Sequence, residues 1–388
     1  MAVAAAVMAP AKPSWNPLRC GGTALPANLL LAAKLIALCL LLTNHVRLLP
    51  DPFLPFLPIF DQLPPLAFQR TLQVAFVVSA VALLFNRSVR VSSLVLGLTI
   101  ILAVVSSKAY YGNNKLFCGC MLFLTGLHQP GQSPWLLRYQ LVIVYFGAGL
   151  NKLLDADWRS GQFMEHWATD RLKHSLYIQV ASWLPPMLLA KLMCWAAIVT
   201  ELGISAAFLI RRLWPLAIWG NLLFQSALML FTGTTFTMFF YAMTAASLVF
   251  VDWPWRLMVI YDGDCGFCNR TREWWERFDL ERLIGWEPFQ SGVNRRYGIP
   301  DAAVQRRLYL VTEKRIYGGF AAFKIMLLYN PITYFAIALL VTTPVRLWVV
   351  ASLLLLFSPF FAPIGEAAYD LVARNRHRLS AQSSCKVG

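Results

Sequence analysis

The sequence predicts a multi-span α-helical membrane domain of about eight transmembrane helices, followed by a small α/β domain. Of the 388 residues, 58% are hydrophobic and only 14% are charged, whereas about a quarter of an ordinary soluble chain is charged. At Trp253-Pro254-Trp255 the long apolar stretches end, and short strand-like and helical segments follow. We therefore expect a tail at 1–26, a membrane domain at 27–252 and an α/β domain at 256–388.

The membrane domain is predicted from its apolar segments. A membrane-spanning helix needs about 20 mostly apolar residues. Segments of this kind lie at 29–49, 68–85, 91–106, 116–127, 137–154, 190–210, 213–231 and 236–251. With eight spans, two basic loops share one side: Arg87 with Arg90, and Arg211 with Arg212. The positive-inside rule assigns that side, and both termini, to the cytoplasm, although four basic residues within 151–173 oppose this orientation.

The net charge of +15 is explained by membrane topology. The Lys and Arg residues lie mainly in short loops and in the C-terminal third, where positive-inside bias and anionic lipid headgroups favour them. No nucleic-acid-binding signature accompanies them, so we expect membrane lipid as a partner and no nucleic acid. The predicted location is the inner or plasma membrane of a bacterium, with a cytoplasmic C-terminal domain.

The predicted α/β domain begins with a short aliphatic strand at 256–261. Asp262-Gly263-Asp264 is a turn signal, and residues 268–280 are helical in type. Further strands are predicted at 283–289 and 307–312, with 316–317 as a hairpin partner. An apolar helical insertion follows around 325–364. Its part 345–361 either dips into the membrane or packs against the neighbouring module. The tail at 369–379 is basic and helical in type.

Cys265 and Cys268 form a C-x-x-C pair where the predicted strand, turn and helix meet. Residues three apart on a helix face the same side, so the two thiols are close enough to bridge. The helix N-terminus carries a partial positive charge that stabilises a thiolate. In this interpretation Cys265 attacks and Cys268 resolves the mixed disulfide. Asp262, Asp264 and Arg270 are the supporting residues: Arg270 favours the thiolate, and the two carboxylates oppose it.

Half of a zinc site and a pair of inert thiols are the alternatives for these cysteines. A zinc site needs two more ligands, and the nearby candidates, His377 and Cys385, lack the usual tight spacing. The other cysteines are scattered, which argues against a disulfide framework. A C-x-x-C that follows a buried strand and opens a helix is a stronger redox signal than the bare motif. We therefore predict a redox pair and no metal.

Two separated motifs resemble the DCC family of thiol–disulfide oxidoreductases. Tyr261-Asp-Gly-Asp-Cys-Gly-Phe-Cys-Asn269 matches the family signature, Tyr369-Asp-Leu-Val-Ala-Arg-Asn-Arg376 matches its C-terminal signature, and Cys385 resembles a cysteine near its end. The resemblance runs from 256 to 385 and implies a thioredoxin-like fold with oxidoreductase activity. Two features depart from the family: the stretch 320–363 is longer and more apolar, and no proline directly precedes the later strands.

The membrane domain carries a polar motif at 145–161, at the end of a predicted span. Its small residues at 147–149 permit close helix packing. Lys152 either snorkels or pairs with Asp155 or Asp157. The functional interpretation is a partly desolvated lysine that acts as a base on a lipid-soluble substrate.

This stretch resembles the vitamin K-dependent γ-carboxylase and, more broadly, the horizontally transferred transmembrane (HTTM) domain that includes it. The similarity covers 29–251, is sharpest at 149–161, and places Lys152 at the position of the carboxylase's catalytic base. Phe224-Gln225 stands where that enzyme has Phe-His, and its large extramembrane domain is missing, so peptide carboxylation is not expected. Elsewhere in the domain, Glu201 should face the bundle interior, with Lys34 as a candidate partner.

The sequence therefore favours a membrane-tethered thiol–disulfide oxidoreductase that acts on an unidentified thiol or disulfide partner, either a protein or a small molecule. No cofactor is required by the sequence, and a quinone that accepts electrons from the dithiol stays open. A carboxylase-like or other lipid-cofactor enzyme centred on Lys152 is the second hypothesis. A non-catalytic membrane scaffold or lipid-binding protein is the third.

Overall fold

The computed structural model describes residues 15–233, 235–253, 257–313 and 315–379. The chain divides into two compact units, which are described separately. The membrane unit comprises 32–83 and the described part of 88–251. The C-terminal module comprises 84–87 and the described parts of 1–31 and 252–388.

Eleven α-helices lie in the described chain before residue 252. They are α1 (Ala27–Leu42), α2 (Pro65–Leu84), α3 (Val89–Ser106), α4 (Asn113–Leu127), α5 (Trp135–Leu154), α6 (Ala156–Ser160), α7 (Gln162–His166), α8 (Ser175–Ala181), α9 (Leu188–Leu209), α10 (Trp214–Thr232) and α11 (Thr237–Ala246). Short 3-10 or π turns lie at Pro58–Phe60, Trp167–Arg171, Arg211–Leu213 and Ser247–Phe250. Each of the eight predicted spans overlaps one of α1–α5 and α9–α11.

Length and polarity limit how many of these helices can cross a bilayer. Over the described residues, four qualify: α2, α3, α9 and the stretch 211–232. The number rises to six if two strongly bent helix pairs after residue 318 are each counted as one span. The predicted count of eight is therefore not confirmed. α1, α4 and α11 have only 16, 15 and 10 residues, and the 20-residue α5 carries Arg138 and Lys152.

α5 and α9 approach each other closely at Gly149. A Cβ atom at this position would lie 2.8 Å from Leu202 Cγ and 3.2 Å from the Leu202 backbone nitrogen. A Cβ atom at Gly147 would meet no atom within 4 Å. Of the two glycines in the small-residue stretch, Gly149 therefore permits the close packing.

The first prediction concerns this contact. Gly149→Ala should lower the thermal unfolding midpoint of the detergent-solubilised protein, because the added methyl group overpacks the α5–α9 contact at a cost of about 1–3 kcal/mol. Gly147→Ala is the matched control and should keep or slightly raise the midpoint, since Ala favours a helix by about 1 kcal/mol over Gly. Equal midpoints for the two variants would contradict the close contact.

The C-terminal module contains a four-stranded mixed sheet. Its strands are β1 (Leu257–Tyr261), β2 (Ile284–Pro288), β3 (Tyr309–Val311) and β4 (Ile316–Gly318), in the order β2-β1-β3-β4. β1 runs parallel to β2 and antiparallel to β3, and β3 pairs with β4 as a hairpin. The structure thus contains strands at all four predicted places.

Helices cover both faces of this sheet. Between β1 and β2 lies α12 (Gly266–Phe278), and between β2 and β3 lie α13 (Val293–Arg296) and α14 (Asp301–Val304). After β4 follow α15 (Gly319–Tyr329), α16 (Pro331–Val341), α17 (Arg346–Phe357) and α18 (Ala362–Leu379). On one face, Val259 and Leu310 pack with Trp275 of α12 and Met326 of α15. On the other face, the core contains Ile260, Val293, Ile299, Val304 and Val311.

The helices after β4 are bent sharply at their prolines. α15 and α16 meet at 76° around Asn330-Pro331, and α17 and α18 meet at 84°. Proline lacks the backbone N–H and disfavours helical geometry in the residue before it, which explains why the apolar stretch forms short helices. Helices therefore lie over the predicted apolar helical stretch and over the tail at 369–379.

Candidate dithiol site

The two cysteines lie at the junction of β1 and α12. β1 ends at Tyr261, a turn follows at 262–264, and α12 begins at Gly266 with Cys265 as its N-cap. The turn is held by the Cys265 N–H, which donates to Asp262 O at 3.2 Å, and by Asn269 Nδ2, which donates to Gly263 O at 2.7 Å. A strand–turn–helix around the C-x-x-C pair was predicted, and the structure confirms it.

The two thiols lie within hydrogen-bonding distance of each other. The bond with Cys265 is the largest cause that raises the pKa of the Cys268 thiol well above its usual range. Burial raises it further, and the Arg376 guanidinium opposes the shift. These effects favour the protonated form of Cys268 in the reduced pair. No disulfide bond joins Cys265 to Cys268 in this structure.

The two cysteines differ in exposure. Cys265 is fully buried, whereas Cys268 is half-buried and lines a cavity of about 370 Å³. Aromatic side chains provide much of the cavity wall: Phe267, Trp286, Phe320, Phe323, Phe361 and Tyr369. The structure thus separates two properties that the sequence analysis assigned to one residue. Cys265 is the N-cap residue of the helix, whereas Cys268 can be reached from a cavity.

The far wall of the cavity is α18, which is tied to the sheet. The Leu308 N–H, just before β3, donates to the Tyr369 hydroxyl at 3.0 Å. Arg307 forms ion pairs with Asp370 at 3.0 Å and with Glu366 at 3.6 Å. These contacts hold α18 against the end of the sheet from which Cys268 is reached.

Arg376 closes the same wall next to the turn. Its Nη2 lies 3.5 Å from Asp262 Oδ2 and also donates to Gln305 O. Sequence reasoning missed Arg376 as the cation near the dithiol, although it ends the second family motif. That motif was the available signal, because its tyrosine and its last arginine both line the cavity.

The predicted supporting residues lie in different environments. Asp262 lines the cavity, pairs with Arg376 and accepts a hydrogen bond from Gln290 Nε2 at 3.0 Å. Asp264 and Arg270 are exposed, and the backbone N–H of Asp264 donates to Asp262 Oδ1 at 3.2 Å. Of the three, Asp262 alone lines the cavity.

The zinc-ligand candidates cannot be compared with this geometry. Cys385 and the side chain of His377 lie outside the described residues. Within the described ranges, no group of three or more His, Cys, Asp or Glu side chains is placed to hold a metal ion.

In the membrane unit, Lys152 forms an ion pair with Glu201. Lys152 Nζ lies 2.7 Å from Glu201 Oε2 and 2.9 Å from Oε1, and 5.0 Å from the centre of the Trp158 ring. The expected pairing of Lys152 with Asp155 or Asp157 is therefore wrong. The expected position of Glu201 in the bundle interior is confirmed, since it is 6% exposed, and it pairs with Lys152.

A buried hydrogen-bond network extends from Tyr145, two helical turns before Lys152. Its hydroxyl contacts Asn221 Oδ1 and accepts from Gln225 Nε2 at 2.9 Å. Asn221 Nδ2 in turn donates to the Ser247 hydroxyl at 2.5 Å and to Met243 O at 3.0 Å. Gln225, which stands where the resembling carboxylase has histidine, is thus a member of a network that links α5, α10 and α11.

The second prediction treats Lys152–Glu201 as a structural pair. Lys152→Met should destabilise the protein by about 3–5 kcal/mol, because it leaves the Glu201 carboxylate buried without its counter-charge. The double variant Lys152→Met/Glu201→Met removes both charges and should regain most of that loss in a denaturant or thermal titration. A double variant no more stable than the single one would contradict this role.

Comparisons with protein families follow the division of the chain. Residues 259–382 match the model of the DCC1-like thiol-disulfide oxidoreductases, and residues 127–255 match that of the HTTM domain. Both resemblances identified from the sequence are confirmed, in the expected order along the chain. No curated protein and no solved structure matches the chain. The apolar helices and the HTTM match indicate a membrane protein.

Proposed function

We propose that a chain with this combination of modules is a membrane-tethered thiol–disulfide oxidoreductase that acts through Cys265 and Cys268. The observation that carries the proposal is the pair of hydrogen-bonded thiols at the start of α12, one of them open to a cavity. The family match over the same residues supports this chemistry. The partner is a protein or a small molecule that carries a thiol or a disulfide.

A thioredoxin-like fold of the C-terminal module belongs to the proposal. β1, α12 and β2 form a parallel βαβ unit, and the β3–β4 hairpin follows with a helix packed after it. A C-x-x-C motif next to a βαβ pattern is typical of thioredoxin-like redox proteins. Leu308, rather than a proline, precedes β3.

We assign the exchange with the partner to Cys268 and the resolving role to Cys265, which reverses the order expected from the sequence. In the oxidised form, a partner thiolate attacks the accessible Cys268 sulfur. The Cys265–Cys268 bond breaks, and Cys265 leaves as a thiolate. The N-terminus of α12 stabilises that negative charge, and a leaving thiol with a lower pKa departs faster.

The third prediction tests this order with an aromatic disulfide, Ellman's reagent. Cys265→Ser should trap a mixed disulfide on Cys268, because the sulfur that would release it is missing. Cys268→Ser should trap none on Cys265, because Cys265 is buried. Both variants should lack catalytic turnover. Intact mass and peptide mapping locate the adduct among the remaining cysteines.

Two outcomes would count against the proposal. An adduct on Cys265 in Cys268→Ser, with none on Cys268 in Cys265→Ser, restores the order expected from the sequence. Wild-type turnover in Cys265→Ser removes the dithiol mechanism altogether. Gly147→Ala is the control for handling and detergent, because it adds a methyl group in open space.

An enzyme centred on Lys152 is the alternative, and it has less support. A base must offer a lone pair, whereas the Lys152 ammonium is held by both oxygens of Glu201. Loss of activity in the more stable double variant Lys152→Met/Glu201→Met, without loss in Cys265→Ser, would favour this alternative. If neither variant changes the function of the protein, a scaffold or lipid-binding protein is favoured.

We also propose a cellular location for the protein and an acceptor for its electrons. We place the protein in the inner membrane of a bacterium with eight crossings and with the C-terminal module in the cytoplasm. The helices α1–α5 and α9–α11 and the basic loops at 87–90 and 211–212 support this topology. A lipid-soluble quinone is the proposed acceptor of the dithiol's electrons. Labelling of Cys268 by a membrane-impermeant maleimide in intact cells would contradict the cytoplasmic placement.

A further inference from the structure

The cavity beside Cys268 has the size and chemistry of a small-molecule site. Pockets for small ligands enclose about 300–1,000 Å³ and are lined mainly by apolar and aromatic groups. This cavity has about 370 Å³, and its wall is almost entirely apolar. Phe267 and Cys268 come from α12, Trp286 from β2, and Phe320 and Phe323 from α15. Flat rings stack well on such side chains.

The main chain at Leu308, which lines the same cavity as Cys268, is not available to an extended peptide. Peptides are commonly held by backbone hydrogen bonds to an open strand edge. At Leu308, just before β3, the N–H donates to the Tyr369 hydroxyl at 3.0 Å, and the carbonyl accepts from the Gly319 N–H at 3.0 Å. Because contacts within the module already satisfy both groups, a compact molecule fits this position better than a peptide strand.

Polar groups are concentrated where the cavity meets the turn. Arg306, Arg376 and Asp262 line the cavity together with Cys268. The two guanidinium groups carry N–H donors, which suit the carbonyl oxygens of a ligand. The cavity thus combines an apolar body, cationic donors and a thiol in its wall.

We propose that this cavity binds an apolar, planar two-electron acceptor of the quinone class, which oxidises the Cys265/Cys268 dithiol. The inference rests on the proposed function and names its acceptor site. The Cys268 thiol adds to the quinone, so that its sulfur bonds to a ring carbon and its proton passes to a carbonyl oxygen. Cys265 then attacks the Cys268 sulfur, the S–S bond forms, and the C–S bond breaks. The electron pair returns to the ring. The two thiols lose two electrons and two protons, and the quinone gains the same as hydroquinone.

The surface of the same module is suited to a lipid-soluble ligand. The hairpin of α16 and α17 exposes large apolar side chains that a soluble domain would bury. In the hairpin, Trp348 is 78% exposed, Leu339 55% and Leu355 54%, and Phe360, in the connection from α17 to α18, is 85% exposed. Phe361, the next residue after Phe360, lines the cavity. A bilayer that covers this hairpin would deliver an apolar ligand close to the cavity wall.

The fourth prediction uses two neighbouring alanines of α18. Ala368 lines the cavity and Ala367 does not, although both are exposed. Ala368→Trp should lower kcat/KM for decylubiquinone reduction by the pre-reduced protein at least about tenfold, or about 1.4 kcal/mol. Ala367→Trp is the matched control and should stay at the wild-type value. Ala373→Phe fills the cavity from a position five residues later and replaces Ala368→Trp if that variant does not fold.

Photolabelling tests whether a quinone binds in the cavity without requiring oxidation of the dithiol. An azidoquinone is applied to Cys265→Ser/Cys268→Ser, which cannot be oxidised at the dithiol. Label should appear on peptides with Trp286, Phe320 or Phe323, and excess decylubiquinone or Ala368→Trp should suppress it. Label confined to the membrane unit, or label that decylubiquinone does not displace, would overturn the site.

The failure of this inference can be distinguished from failure of the proposed function. If wild-type protein reduces Ellman's reagent through the dithiol but transfers nothing to decylubiquinone, the acceptor site is wrong and the oxidoreductase stands. If neither reagent is reduced, the proposed function is wrong as well. Equal rates for Ala368→Trp and Ala367→Trp with decylubiquinone would also contradict the cavity as the site.

Discussion

The hydrogen bond between Cys265 and Cys268 is the interaction on which the proposed chemistry depends. It exists because β1 ends at Tyr261 and a three-residue turn brings the chain to the start of α12. Gly263 permits that turn, since a Cβ atom there would lie 2.8 Å from Pro288 Cβ at the end of β2. Cys265 then occupies the N-cap position of the helix, and Cys268, one turn later, faces a cavity. The pair therefore combines a protected thiol with an accessible one.

The cavity depends on contacts between distant parts of the chain. α18 follows the dithiol by about a hundred residues, yet Tyr369 takes the main-chain N–H at Leu308, and Arg376 pairs with Asp262. A buried ion pair is weak evidence for net stability, because desolvation of the two charges offsets their attraction. The role of these contacts is to fix α18 as a wall, so that the aromatic side chains and the thiol share one space. The DCC1-like match spans both the dithiol and this wall.

Local patterns allowed much of the C-terminal module to be predicted. The four strands and the cysteine helix are specified by aliphatic runs, turn residues and helix formers that act over a few positions. The pairing of Lys152 with Glu201, which are 49 residues apart on different helices, was not predictable in this way. The same is true of Arg376 and of the exposure of the two cysteines. The predicted count of eight spans is not confirmed, because apolar composition alone does not determine where a helix such as α1 ends.

The most direct test of the account is a redox titration of the wild-type protein in a membrane mimetic, with disulfides mapped by mass spectrometry at each potential. The account predicts one reversible two-electron transition in which a Cys265–Cys268 disulfide replaces two free thiols. Both cysteines remaining free throughout, or either one bridging to a different cysteine, would contradict it.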